Sequence, residues 1–201
     1  SPEKYNLTQL KTLKTGFIGT LNMLNLAKKY NSKFLLTSSS EIYGKSLKPN
    51  QKEFDITSDS PFNGRSCYVE SKRISETLCY QYKDYIDIKI ARVFNTYGPN
   101  MLENDGRVIS NFINKALNNE PLIIYGSGNQ TRSFCYIDDL IIGLLKLMNS
   151  NYNSPINLGN NEEIKIKDLA KIIIQKTKTN RNILFKKPIK NEPFRRCPEI
   201  K

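Results

Sequence analysis

Histidine does not occur anywhere in the 201 residues. Its absence excludes Ser-His-Asp and Cys-His nucleophilic sites within the chain and argues against a catalytic zinc. Cys67, Cys79, Cys135 and Cys197 are widely spaced, with no Cys-x-x-Cys among them. They read as reduced, mostly buried thiols of a cytosol-like compartment, and nothing beside Cys67 suggests an activated thiolate. No apolar run is long enough for a transmembrane helix, and no signal peptide is visible. Internal repeats are missing too, and no Gly-x-Gly-x-x-Gly follows a strand-like segment.

What is present in excess is positive charge, +12 at pH 7. That balance raises nucleic acid or an anionic surface as a partner. The lysines, however, are scattered among Asn and Ile, the pattern of a solvated basic surface more than of a nucleic-acid patch. A phosphate-bearing substrate fits the same charge. The length is enough for a sizeable core, in one domain or two lobes.

Periodicity predicts a helix to about Lys29, with Leu10, Leu13, Phe17, Leu21 and Leu24 on its inner face. A short buried strand, Lys33–Thr37, runs into a polar loop at Ser38–Gly44. Residues 45–64 read as a surface excursion. A helix from Arg65 to about Tyr82 and a strand at Ile86–Phe94 follow. Strand, helix, strand in this rhythm means a parallel sheet with crossover helices. Ligands in such sheets sit outside the carboxyl ends of the strands, where Ser38–Glu41 and Asn95–Tyr97 fall. Beyond Pro99 the units are shorter: helices at Val108–Leu117, Asp138–Met148 and Ile166–Lys176, and strands at Leu122–Tyr125, Ile156–Leu158 and Ile183–Phe185. The fold class expected is therefore α/β, an incomplete Rossmann-like parallel sheet with a small α+β lobe. Residues 1–98 form the first part, and 99–201 form mainly the second, with some elements returning to the first.

The segment Arg65–Arg73 places Tyr68 and Lys72 four residues apart, on one face of the predicted helix. A nearby ammonium favours a phenolate, so the pair predicts a tyrosine of lowered pKa able to exchange protons. The same spacing recurs at Tyr85 and Lys89, but there the pattern alternates as a strand does, which separates the two side chains. Taken alone, Ser38–Ser40 also reads as a turn or cap, Glu41 as a solvated carboxylate and Arg196 as a basic tail. Tyr125 reads equally as strand core, and Gly126–Gly128 as a hairpin turn.

With Ser39, Tyr68 and Lys72 taken together, the chain resembles the extended short-chain dehydrogenases/reductases, the nucleotide-sugar epimerases and dehydratases. Several blocks narrow the resemblance to the UDP-glucuronate decarboxylase branch. They are Gly19–Lys28, Phe34–Gly44, Arg65–Tyr68, Phe94–Pro99, Asp105–Phe112, Tyr125–Phe134, Asn157–Gly159 and Arg195–Pro198, and they run nearly end to end. The resemblance implies NAD as cofactor and a UDP-sugar substrate. It implies oxidation at C4, loss of carbon dioxide and re-reduction to UDP-xylose, with a homodimer as the assembly.

Residue by residue, the resemblance makes Tyr68 the base that takes the sugar hydroxyl proton and Ser39 the hydroxyl that bonds the same oxygen. Lys72 would hold the nicotinamide ribose. Ser40 and Glu41 stand where dehydratases carry Asp-Glu, and the Ser-Glu pair matches the decarboxylases. Arg196 matches an arginine near the sugar carboxylate. Lys14, Asn22, Tyr82, Asn95, Arg107, Tyr125, Gln130 and Arg132 correspond to UDP-sugar contacts, and Thr15 and Thr96 to cofactor contacts. No metal is implied. A nucleotide-sugar 4,6-dehydratase or 4-epimerase is the neighbouring alternative, and an anion-binding module or a non-catalytic dimerising remnant the more distant ones. Gly16, Lys45, Val69 and Asn100 depart from the family's usual residues. The resemblance also places a dinucleotide fingerprint upstream of Ser1, so an amino-terminal truncation is expected and the 201 residues alone should be inactive. Asn129-Gln-Thr131 is a nominal glycosylation sequon in the expected substrate wall, where a glycan would obstruct binding, which favours a cytoplasmic setting over a lumenal one.

Overall fold

The computed structural model describes residues 5, 7–44, 50–55, 60–103, 106–188 and 194–200. Lys45, and with it that departure from the family pattern, lies outside them. The first helix is continuous but not uniform. It begins as α1 (Gln9–Lys14), widens into a π turn (Thr15–Gly19) and resumes as α2 (Thr20–Lys29). The π turn lies against α3 (Ser66–Tyr82). Glycine is required at its second position. A Cβ on Gly16 would meet the Cβ of Ser71 at 2.5 Å, inside any allowed contact. Ser75 closes the same junction, its hydroxyl 3.0 Å from the Gly16 carbonyl and 2.9 Å from the Thr20 hydroxyl. Gly16 thus lets two helices approach. It departs from the family's residue without leaving a void.

The apolar face of that helix is not what its spacing predicts. Leu24 is fully buried, but Leu10, Leu13 and Phe17 are 65%, 38% and 39% exposed. The helix turns its small residues toward α3, and the larger apolar ones are left outside.

Strands β1 (Phe34–Ser39), β2 (Ile88–Val93) and β7 (Ile156–Leu158) form a parallel sheet in the order β1-β2-β7. Their register pairs Ser39 with Val93 and Val93 with Leu158, so the carboxyl ends of all three finish level. β1 runs two residues further than its apolar stretch predicts, because the backbone ladder continues through Ser38 and Ser39 although their side chains are polar. Leu36, Ile88 and Ile90 pack with Leu24, Ala27 and Cys79 into the core on the α2 and α3 side. β7 comes from far down the chain, so the later part of the sequence does return an element to the first sheet.

The remainder has its own core, in which Ile109, Phe112, Leu122, Ile124, Leu169 and Ile173 pack together. They come from α4 (Val108–Leu117), β4 (Leu122–Tyr125) and α6 (Ile166–Thr177). β4 pairs in parallel with β9 (Ile183–Lys186). Five short strands escape the sequence pattern, being too brief to show a period. They are β3 (Thr96–Tyr97), β5 (Thr131–Ser133), β6 (Cys135–Tyr136), β8 (Glu163–Lys165) and β10 (Arg195–Arg196). α5 (Ile137–Met148) returns to the first sheet, packing on β2 and β7. β10 lies parallel to β5, with Arg196 opposite Arg132. Gln51, in the excursion between β1 and α3, is buried; its side-chain carbonyl accepts from the Cys197 N–H, and its backbone bridges to Pro198.

Candidate active site

A cavity of about 900 Å³ opens at the carboxyl ends of β1 and β2, between the two cores. Ser39, the last residue of β1, is extended, and its hydroxyl accepts the Glu41 N–H at 3.2 Å. That bond caps a tight 3-10 turn, Ser40–Tyr43, which ends at Gly44 with a φ of +56°, a conformation suited to glycine. The turn brings Ser40 and Glu41 into the cavity wall. Tyr68, in the first turn of α3, lines the same wall.

Glu41 is held by two cations. Its Oε1 accepts from Arg65 Nη2 at 2.8 Å and from Arg196 Nη1. Arg65 was legible only as the start of the Tyr68 segment, and its role as a cavity residue is a finding of the fold. Tyr5 is another such residue. It is 9% exposed and stacks on Tyr68, with ring centroids 5.1 Å apart and planes 7° from parallel. Its segment reads as a loop in sequence, with no period to give it away.

The far wall carries Asn95, Thr96, Arg107, Tyr125, Gln130 and Arg132. Gln130 Nε2 donates to the Tyr125 carbonyl at 2.8 Å, and the buried Arg132 donates to the carbonyls of Thr131 and Phe194. Among the described residues, the lining holds Arg65, Arg107, Lys115, Arg132 and Arg196 against one carboxylate, Glu41. Arginine forks suit diphosphate and carboxylate groups, so the cavity is chemically fitted to an anion.

Five of the expected contacts are not brought to this cavity. Lys14 and Thr15 are exposed on the first helix, as is Asn22 further along it. Tyr82 ends α3, about 21 Å of helix away from Tyr68 at 1.5 Å per residue. Its hydroxyl donates to Asn25 instead, at 2.6 Å. Lys72 points to β1 behind the cavity wall, donating to the Thr37 carbonyl at 2.8 Å, with its ammonium 5.9 Å from the Tyr68 ring centre.

The expected lowering of the Tyr68 pKa is also corrected. Burial dominates and pushes the phenol above its ordinary value, with Glu41 adding to the rise. The Ser39 hydroxyl, Arg107 and Arg196 pull it back, by less. Lys72 is itself lowered by burial. At the second Tyr/Lys spacing, Tyr85 stays outside while Lys89, 1% exposed, pairs with Asp87 at 2.7 Å. All four cysteines are free; the Cys79 thiol is pushed up to about 12 by burial, which fits a packing role. Among the described residues, no helix is long and apolar enough to cross a membrane, and no group of acidic or thiol side chains is set to hold a metal.

A level parallel sheet edge bearing Ser39, with Tyr68 and Lys72 on the adjoining helix, defines a Rossmann-like α/β protein of the dehydrogenase/epimerase kind. The chain belongs to the NAD dependent epimerase/dehydratase family, whose profile matches residues 1–159. It is 47% identical over its whole length to UDP-glucuronic acid decarboxylase 1 of Xenopus tropicalis, covering 48% of that protein. It is 46% identical to UDP-glucuronic acid decarboxylase 2 of Arabidopsis thaliana, again over its whole length, covering 45% of it. The chain thus spans about half the length of the curated relatives it matches. Among solved structures, it is similar to a UDP-N-acetylglucosamine 4-epimerase of Methanobrevibacter ruminantium in complex with UDP-N-acetylmuramic acid. There the TM-score is 0.92 at 25% identity, over 100% of this chain and 64% of the other. It is also similar to the UDP-glucuronic acid 4-epimerase of Bacillus cereus with UDP-glucuronic acid and NAD. That match has a TM-score of 0.80 at 28% identity, over 94% of this chain and 59% of the other.

Proposed function

We propose that the protein carrying this chain is an NAD-dependent UDP-glucuronate decarboxylase that forms UDP-xylose through a 4-keto intermediate. The observation that carries this reading is the cavity in which Ser39, Glu41, Tyr68 and Arg196 meet under a strongly basic wall. Arg107, Arg132 and Gln130 would engage the UDP part, and Arg196 the sugar carboxylate. Near-half identity to decarboxylases along the whole chain supports the same assignment.

The donor set fits one side of NAD. Tyr68 and Thr96 present two hydroxyls on the cavity wall, and Lys72 stands just behind it on the face of α3 that carries Tyr68, a set that would hold a nicotinamide ribose. Bound there, NAD would supply a two-electron acceptor for the C4 hydride that is regenerated within the cycle, so no net oxidant is consumed. Tyr68 accepts the proton of the C4 hydroxyl while Ser39 bonds that oxygen. The resulting β-keto acid breaks its bond to the carboxylate, carbon dioxide leaves, and the electron pair is delocalised into the ketone as an enolate. Ser39 and Tyr68 stabilise that oxyanion, which asks for donors, not for a strong base. A proton then adds to the carbon that lost carbon dioxide, and on re-reduction of C4 Tyr68 gives its proton back to the C4 oxygen. Ser40, buried in the wall where a dehydratase carries Asp, supplies no second carboxylic acid for eliminating water.

Supplying UDP-glucuronate labelled at the sugar carboxyl carbon tests this reading. Release of labelled carbon dioxide with UDP-xylose is the expected result. Retained label with inverted C4 would make the protein an epimerase and overturn it.

Within the same proposal, residues 1–98 complete the cofactor side and 99–201 mainly the UDP-sugar side. The exposed Leu10, Leu13 and Phe17 on the first helix support a homodimer, since burying them needs an apolar partner face. Light scattering is expected to return twice the chain mass for the protein; a monomer would sink that part. A cytoplasmic setting fits the four free thiols.

A further inference from the structure

Helix α3 carries a third polar residue in line with Tyr68 and Lys72: Glu76 stands at i+8, on the same face. Its side chain is 13% exposed, and that of its partner Arg92 on β2 is 11% exposed. Arg92 donates to it through Nη2 at 2.7 Å and Nε at 3.1 Å. Ser38 donates its hydroxyl to the same carboxylate. Lys72 meanwhile holds the carbonyl of Thr37. Two successive residues of α3's inner face therefore grip two successive residues of β1, immediately before Ser39. Arg92 also donates through Nη1 to the Tyr43 hydroxyl at 3.0 Å, at the end of the turn that carries Ser40 and Glu41.

We propose that Glu76 is a positioning residue for the reaction. Its carboxylate pins the Ser38–Ser39 strand end beside Tyr68 and supplies the negative charge that holds Lys72 as an ammonium. This rests on the reading of Tyr68 and Lys72 as the working pair. The groups facing Lys72 are Tyr68 and Glu76 from its own helix and the Thr37 carbonyl from β1, with the Ser38 hydroxyl of β1 and Arg92 of β2 bonded to Glu76 behind them. Burial lowers Lys72, and Glu76 is the charge that raises it again.

A purely structural ion pair would not distinguish which partner is removed, whereas a charge acting on Lys72 does. Removing Glu76 takes away the anion and destabilises the ammonium, so the alkaline limb of the pH–kcat profile falls to lower pH. Removing Arg92 takes away a cation and leaves Glu76 unneutralised, so the limb rises to higher pH.

The experiment compares pH profiles of kcat for UDP-glucuronate in the wild-type protein, Glu76→Gln, Arg92→Gln and Tyr68→Phe. For Glu76→Gln the expected result is a limb lower by about one pH unit. Its kcat should fall about ten- to hundredfold, with KM within about twofold of wild type. For Arg92→Gln the limb should move up. Limbs that both stay, or move the same way, overturn the role of Glu76 while Tyr68-dependent turnover leaves the underlying reading standing. A wild-type protein that does not turn over UDP-glucuronate overturns both. If Glu76→Gln does not fold, Arg92→Gln decides: a higher limb supports the role, and an unmoved or lower one overturns it.

Discussion

Tyr68→Phe is expected to lower turnover of UDP-glucuronate by about 10²–10⁴-fold, the range that a positioned acid–base group supplies. The substitution is clean. Phenylalanine keeps the ring that stacks on Tyr5 at 5.1 Å and fills the same space at the start of α3. Only the exchangeable proton is lost, so KM should move by no more than about threefold on the logic that separates transition-state from uniform binding. The pH dependence should separate the variants as well. Because burial raises the Tyr68 phenol above its ordinary value, the neutral phenol dominates near neutrality, and wild-type turnover should climb with pH as the small phenolate fraction grows, until the alkaline limb sets in. The residual activity of Tyr68→Phe should lack that climb. Steady-state kinetics across pH would check it, and an unchanged kcat in the variant would remove Tyr68 from the chemistry.

Arg196→Ala is expected to cost about 10²–10³-fold in turnover, the loss seen when one well-placed donor to a developing charge is removed. The reason lies in the charge count around Glu41. Arg65 and Arg196 both donate to one carboxylate oxygen, which leaves a positive charge over for an anionic group entering the cavity. Affinity for UDP, which lacks the sugar carboxylate, should stay within about twofold, since that variant removes no group assigned to the diphosphate. Arg196→Lys keeps the charge but not the planar fork, so it should fall between wild type and alanine. Calorimetry with UDP, beside kinetics with UDP-glucuronate, would tell a lost carboxylate contact from a collapsed site. The fold itself should survive. β10 is held to β5 by its backbone pairing, and Arg195 is paired with Glu163 independently of Arg196.

Much of the site was legible because its residues sit in local patterns. Tyr68 and Lys72 show helical spacing, and Ser39–Glu41 follow an apolar strand. Arg107 precedes an amphipathic helix. The cavity gathers Ser39, Ser40, Glu41, Tyr68 and Arg107 from these segments, and with them Asn95, Thr96, Tyr125, Gln130, Arg132 and Arg196, which only the family resemblance had marked. Tyr5 and Arg65 were missed because neither belongs to a periodic element that predicts what it faces. Tyr82 and Asn22 were expected at the site and lie elsewhere, since the length of α3 and the face of α2 set their positions.

The chain by itself determined the alternation of helices and strands, the parallel sheet and the place of the site at its strand ends. Those follow from local periodicity and from the geometry of crossover connections, which are properties of short segments. Even the separation of Tyr68–Lys72 from Tyr85–Lys89 was readable, because one spacing lies on a helix and the other runs into a strand. Only the tertiary structure decided that Leu10, Leu13 and Phe17 face outward, that Gly16 seats one helix on another, and that Arg196 reaches Glu41 across 155 positions of sequence. It also reversed the expected direction of the Tyr68 pKa. A phenol's proton affinity depends on how much water its surroundings exclude and on which charges stand beside it, and both are set by packing between distant segments.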